Sequence, residues 1–263
     1  KKVHTEKESK CNAPLINGRF DATGNHFFAA SEDRTITRIN LASEKQVIYS
    51  GHESWVAGIA FSKDGQTLVT SGFDDTLIWW PTEGDAPKPT RTIKAHRGWI
   101  RAIAVSPDGK LLASAGNDKV VRLWKMSDGS KVREMAGHER DVYSMLFHAS
   151  GEFLLTGDLP GKIHQWEVAT GKLTRSFDGK DLHGFNAGQD VDYGGVRSMA
   201  FNADGSQLIC GGLHKGTNPL GAINEPLILR FDWESGKFLK KHPATGVRGV
   251  IWRNLFHPDG YIV

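Results

Sequence analysis

The sequence predicts an all-β protein, because three short signals recur along its 263 residues. One is a tight turn centred on glycine, a second is glycine or alanine followed by histidine, and a third is tryptophan. The histidine and tryptophan signals both recur at steps of 44 and 42 residues, so a single structural unit is repeated. The glycines are Gly24, Gly65, Gly109, Gly151, Gly205 and Gly260, the histidines are His52, His96 and His138, and the tryptophans are Trp80, Trp124 and Trp166.

Each period contains short strand segments and no helical spacing. In the third period, apolar residues dominate 100–105, 111–114 and 120–124, and Asp-Gly turns follow the first and last of these segments. Glycine accepts the positive φ of a tight reversal, so the segments are expected to pair as antiparallel strands. Four strands in about 40–45 residues predict one blade of a β-propeller.

The segment from His96 to Trp124 contains, in order, Ala-His, Ser-Pro-Asp-Gly, Leu-Ala-Ser, a turn aspartate and tryptophan. This arrangement resembles the WD repeat, and the resemblance extends over residues 13–263. It implies a β-propeller of four-stranded antiparallel blades. The repeats depart from the family pattern in one respect, since Pro81, Lys125 and Glu167 follow the three tryptophans where aspartate is expected.

The repeats divide the chain into a polar N-terminal segment, residues 1–12, and the propeller, residues 13–263. About five and a half blades are present, whereas the family usually has seven. Because an open propeller exposes strand edges, we expect a truncated member that further chain or a partner completes. The blades are predicted at 13–50, 51–94, 95–136, 137–177, 196–242 and, in part, 247–263, and two insertions at 178–195 and 212–226 are predicted to be loops.

Histidine, serine or threonine, and aspartate recur together at fixed offsets. His96, Ser114 and Asp118 have the residue types of a nucleophilic triad, but the set recurs in the neighbouring repeat, whereas a catalytic site is expected once. The resemblance implies a buried network instead, in which Asp accepts from His, His bonds the hydroxyl, and the hydroxyl meets the Trp indole. The predicted network residues are His52, Thr70, Asp74, Trp80, His96, Ser114, Asp118, Trp124, His138, Thr156 and Trp166, with Pro160 where the fourth repeat should carry its aspartate.

The sequence contains no recognisable catalytic, cofactor or metal motif. The fifth repeat has Cys210 at the Ser/Thr position and Phe231 at the Trp position. Cys210 is expected to be a small buried core residue, because a thiol can replace a hydroxyl on an inner strand. Histidines outside the network have no metal-ligand spacing. No cofactor and no metal are therefore expected.

A partner-binding face is predicted around the mouth of the propeller channel. The residues beside the start of each first strand, and those before each turn aspartate, are expected to share this rim. They are rich in Trp, Tyr and Arg, the residues that most often anchor protein interfaces. The predicted face residues are Trp55, Phe73, Trp99, Arg101, Asn117, Asp141, Tyr143 and Arg197, although Trp55 and Trp99 could instead pack onto neighbouring blades.

These observations predict a non-enzymatic scaffold that presents a rigid face to a protein or peptide partner. Two alternatives remain: an enzyme or ligand-binding propeller that uses the channel mouth, and a positioning module of a larger protein. A net charge of +3 does not favour nucleic acid or an anionic membrane. No apolar run reaches membrane-span length, and two cysteines fit a reducing cytoplasm.

Overall fold

The computed structural model describes residues 8–216 and 224–263. Residues 1–7 of the predicted N-terminal segment and residues 217–223 of the second predicted insertion lie outside the described residues. Within the described part, five four-stranded antiparallel sheets and one two-stranded sheet account for the regular structure, with one 3₁₀ turn at Lys180–Leu182. The all-β prediction is confirmed. The chain forms two compact units, Lys1–Ile100 and Arg101–Val263.

The first unit contains two blades. In each of them, consecutive strands pair with one another, so the sheet order follows the chain. The first sheet comprises β1 (Leu15–Phe20), β2 (His26–Ser31), β3 (Thr35–Asn40) and β4 (Gln46–Ser50), and the second comprises β5 (Val56–Phe61), β6 (Thr67–Gly72), β7 (Thr76–Pro81) and β8 (Arg91–Lys94).

The core of the first unit lies between these two sheets. β5 packs against β1 and β2. Phe28 contacts Phe61 edge to face, with ring centroids 4.9 Å apart, and Tyr49 meets Trp80 in the same way at 5.7 Å. Phe28, Tyr49 and Trp80 are fully buried, so each blade buries its apolar face against its neighbour.

The second unit contains three further blades and a hairpin. Each four-stranded sheet again follows chain order. The strands are β9 (Ile100–Val105), β10 (Leu111–Gly116), β11 (Val120–Lys125), β12 (Lys131–Ala136); β13 (Val142–Phe147), β14 (Phe153–Asp158), β15 (Lys162–Glu167), β16 (Leu173–Asp178); the hairpin strands β17 (His183–Asn186) and β18 (Val191–Gly194); and β19 (Ser198–Phe201), β20 (Gln207–His214), β21 (Glu225–Asp232), β22 (Phe238–Pro243).

Arginines on the last strands of two blades in the second unit form hydrogen bonds to the backbone of the next blade. Arg133 on β12 donates to the backbone oxygens of Ala169 and Thr170, at 2.6 and 2.7 Å. Arg175 on β16 donates in the same way to the backbone oxygens of Trp233 and Glu234. The repeated position therefore makes a repeated contact between blades.

The turn glycines have the conformation that the sequence predicts. Each of the six has a φ between 71° and 86°. At Gly65, for example, the backbone N–H donates to the oxygen of Ser62, which closes the turn between β5 and β6. A residue with a Cβ would be strained at this φ.

The prediction that residues 178–195 form a loop is wrong, because this insertion contains the 3₁₀ turn and the hairpin β17–β18. His183 and Asp192 face each other across the hairpin, with Nε2 and Oδ1 2.8 Å apart. Gly194 and Gly195 then adopt positive φ and return the chain to the fifth blade. The second insertion is also partly regular, since β20 and β21 extend their pairing to His214 and Glu225.

Candidate functional site

A buried chain of hydrogen bonds links four segments of the second blade. The Trp80 indole N–H donates to Thr70 Oγ1 at 2.9 Å. Thr70 Oγ1 lies 2.8 Å from His52 Nε2, and His52 Nδ1 lies 2.9 Å from Asp74 Oδ2. If His52 donates to the carboxylate, the Thr70 hydroxyl donates to Nε2, and every polar group in the chain is satisfied.

Asp74 remains ionised within this arrangement. Burial opposes the charge, but hydrogen bonds from His52, Thr76 and the Glu53 backbone outweigh it and hold the pKa of Asp74 well below its usual range. The carboxylate therefore binds the segment before β5 and the turn after β6 at once. It acts as a structural anchor between two parts of the sheet.

In the third repeat, the Trp124 indole N–H donates to Ser114 Oγ at 2.8 Å within the second unit. Asp118 accepts from Arg122 at 2.6 Å, a contact that sequence reasoning did not foresee. His96 is buried in the first unit.

The fourth repeat has its aspartate two residues earlier than expected. The turn position is occupied by Pro160, but Asp158, the last residue of β14, places Oδ2 2.8 Å from His138 Nδ1. Thr156 Oγ1 lies 2.7 Å from both His138 Nε2 and the Trp166 indole nitrogen. The expectation that this repeat lacks the carboxylate is therefore wrong, because a side chain from the strand end reaches the same atom.

The fifth repeat has an apolar cluster at the corresponding positions. Cys210 and Phe231 are buried and pack with Leu208, Leu227 and Leu229. Burial raises the pKa of the Cys210 thiol well above its usual range, so this group stays neutral. The described residues contain no group of three or more His, Cys, Asp or Glu side chains placed to hold a metal ion.

The predicted face residues of the first unit form an exposed stack of aromatic rings. Trp55 precedes β5 and Phe73 follows β6, and the Phe73 N–H donates to the Trp55 oxygen at 2.8 Å, so both lie at one edge of the sheet. Phe73 stacks face to face on Trp99, with ring centroids 4.4 Å apart and planes 2° apart. The ring centroids of Trp55 and Phe73 are 5.9 Å apart, and Trp55 and Trp99 are each 44% exposed.

The predicted face residues of the second unit form a ladder of cations and aromatic rings. Arg101 and Arg197 lie on the Tyr143 ring, with guanidinium carbons 4.5 and 3.8 Å from its centroid. Arg197 also lies 5.5 Å from the centroid of Trp252. Trp252 was missed by sequence reasoning, although Ile251-Trp252 repeats the pattern of Val142-Tyr143 and Val196-Arg197 at the start of the first strand.

Asn117 and Asp141 complete the predicted set and both contact Arg101. Asn117 Oδ1 accepts from Arg101 Nε at 2.6 Å, and Asp141 Oδ2 lies 3.8 Å from Arg101 Nη2. The structure thus brings together all five predicted residues of the second unit. The three predicted residues of the first unit form their own cluster.

Residues 43–81, 87–125 and 129–167 match the WD domain, G-beta repeat family. The match at 43–81 begins before β4 of one sheet and ends with β7 of the next, so one sequence repeat contributes strands to two sheets. Together with the five four-stranded sheets, these matches show that the chain contains WD repeats and has the β-propeller fold. Proteins of this family typically act as protein-interaction scaffolds and are generally not enzymes.

Several curated proteins are similar to this chain. Nuclear distribution protein nudF of Emericella nidulans is 24% identical over 181 residues, covering 60% of this chain and 40% of that protein. Apoptotic protease-activating factor 1 of Rattus norvegicus is 28% identical over 201 residues, covering 74% and 15%. Transcription initiation factor TFIID subunit 5 of Caenorhabditis elegans is 22% identical over 160 residues, covering 61% and 24%. The matched region thus spans between 15% and 40% of these relatives' length.

The part of the chain that the structure describes contains no helix with the length and apolar character that a membrane span needs.

We expect Thr70→Val to destabilise the first unit, because the change removes the hydroxyl that joins Trp80 to His52. A buried indole N–H and a ring nitrogen lose their partner, at about 1–3 kcal/mol for each group. Denaturant unfolding followed by tryptophan fluorescence measures the loss. Thr70→Ser keeps the hydroxyl and should retain most of the stability.

Thr92→Val makes the same exchange at an exposed position on β8 and serves as the control. Equal stabilities for Thr70→Val and Thr92→Val would contradict the role of the buried hydroxyl.

We expect the free energy of unfolding to fall as the pH is lowered from 7 to 5. Burial, together with the neighbouring His138, lowers the pKa of His164 below its usual value of about 6.5. The unfolded chain then binds protons more readily than the folded one. The stability that the neutral His164 ring contributes is therefore fully present above about pH 6.5 and is lost progressively below it. Denaturant unfolding across this range measures the slope.

His164→Gln should flatten that slope. Both states of the wild type hold a neutral ring at pH 8, so the difference between the proteins there reports the changed packing and hydrogen bonds of residue 164 and can be subtracted. An unchanged slope in the variant would exclude His164 as a source of the pH dependence.

Proposed function

We propose that this chain is a non-enzymatic scaffold that binds a protein or peptide partner through Trp55, Phe73 and Trp99 in the first unit and through the Arg101–Tyr143–Arg197 ladder in the second. The observation that carries the proposal is the exposed aromatic stack. Two tryptophans, each 44% exposed, flank Phe73 at the edge of the sheet.

The stack has the physical properties of an interface anchor. Exposed aromatic area is a cost to an isolated protein and a gain when a partner covers it. Because the rings already contact one another, little side-chain entropy remains to be lost on binding. The alternative of local packing accounts for the contact between the rings but not for the part of each indole that remains exposed.

Other features support binding over catalysis. The hydrogen-bonded His, Thr and Asp groups are buried and occur in more than one blade, which fits a structural role. Among the eight predicted face residues, Asp141 is the one carboxylate, and it pairs with Arg101. The low cysteine content favours the cytoplasm as the location. The net charge of +3 favours a protein partner over nucleic acid.

We expect Trp99→Ala to remove specific partners from those that the tagged wild-type protein captures from cell extract, because it breaks the face-to-face stack with Phe73. Arg101→Glu should do the same for partners of the second unit. Quantitative mass spectrometry of the captured proteins measures the change.

Phe238→Ala is the matched control, because Phe238 is also 44% exposed but lies on β22, away from the proposed residues of its own unit. If Trp99→Ala and Arg101→Glu fold and capture the same proteins as the wild type, the proposed surface is wrong.

A further inference from the structure

One repeat position alternates between a cation and an aromatic ring in the second unit. Arg101 and Tyr143 are the second residues of β9 and β13, and Arg197 directly precedes β19. Trp252 stands at the corresponding sequence position of the partial sixth repeat. Equivalent positions of neighbouring blades lie side by side, which is why the Tyr143 ring is covered by two guanidinium groups. The arrangement concentrates two positive charges on one ring.

Arg101 has polar partners for its charge. Its Nε donates to Asn117 Oδ1 at 2.6 Å, and Asp141 Oδ2 lies 3.8 Å from its Nη2. Of the two arginines on the Tyr143 ring, Arg101 is therefore the one with a carboxylate beside it.

Arg197 differs from Arg101 in the partners of its guanidinium. Among residues 8–216 and 224–263, no carboxylate lies within ion-pair distance of its guanidinium, and its Nε is buried without a hydrogen-bond acceptor. Burial lowers the pKa of Arg197, and although Tyr143 favours the charged form, the neighbouring Arg101 adds to the lowering. The fold thus holds the Arg197 guanidinium beside that of Arg101, and Tyr143 is the main group that stabilises the Arg197 charge.

A carboxylate is the ligand that this environment favours. An ionised arginine in a partly buried site gains from a planar anion, which can accept two parallel N–H bonds. Trp252, which is 70% exposed, lies beside the same guanidinium and offers apolar area to the residues next to the anion. Charge and apolar surface are thus adjacent, as recognition of a short peptide segment requires.

We propose that Arg197 receives the carboxylate of a glutamate or aspartate in an acidic peptide segment of the partner, and that Trp252 packs on a residue next to it. This inference rests on the proposed function, because it names the chemistry of the partner for the second unit.

The test is selection from a random 12-residue peptide display library against the immobilised protein. We expect peptides enriched in Glu and Asp. The tightest peptide should lose about 10- to 100-fold in affinity when its key Glu is replaced by Gln, or when the protein carries Arg197→Gln, because each change removes a charged hydrogen bond.

Arg197→Lys retains the charge but not the planar fork and should bind with intermediate affinity. Lys125→Gln removes one positive charge from the last residue of β11 and is the control for net charge. Thermal unfolding of each variant reports folding, and if Arg197→Gln does not fold, the Glu-to-Gln peptide on the wild-type protein decides the question.

Selected peptides without acidic residues, bound equally by Arg197→Gln, would overturn this inference and leave the scaffold proposal standing. A peptide that binds only when phosphoserine replaces its Glu would also overturn it, in favour of a phosphate group. Failure of the wild-type protein to select any peptide would count against both proposals.

Discussion

The structure depends on a buried chain of hydrogen bonds that ends in a carboxylate. In the second blade it runs from Trp80 on β7 through Thr70 on β6 and His52 before β5 to Asp74 in the turn. Each group fulfils the hydrogen-bonding capacity of its neighbour, so burial of these polar groups costs little free energy. The loss of one group would leave the next buried without a hydrogen-bond partner. Four segments of one blade are thereby fixed in one geometry.

The same chain of bonds positions the proposed binding residues. Asp74 Oδ2 also accepts from the Glu53 backbone N–H at 2.7 Å, two residues before Trp55. In the fourth repeat, His138 lies four residues before β13, and its partner Asp158 is paired with Val142 at the start of that strand. A rigid interior therefore holds the surface side chains in place, which fits a scaffold that binds with little rearrangement.

Sequence reasoning predicted the features that repeat and missed those that depart from the repeat. The strands and turn glycines follow from periodic signals, because the same local physics acts in every blade. Asp158 was not predicted, because the aspartate of the other repeats lies four residues after the threonine or serine, and in this repeat that position is Pro160. The Asp158 side chain contacts the histidine from a different backbone position. The hairpin at 183–194 carries no repeat marker and emerges only from tertiary packing. Trp252 does stand at a repeated position, but its repeat is only partial, and its contact with Arg197 shows only in the structure.

Hydrogen exchange of the tryptophan indole groups, followed by NMR, tests the central claim most directly. The indole N–H groups of Trp80, Trp124 and Trp166 donate to buried hydroxyls, so they should exchange only through large-scale unfolding, at rates that follow global stability. The exposed indoles of Trp55 and Trp252 provide the fast reference within the same sample. If the three buried groups exchanged as fast as this reference, hydrogen bonds of this kind could not be what holds the blades together.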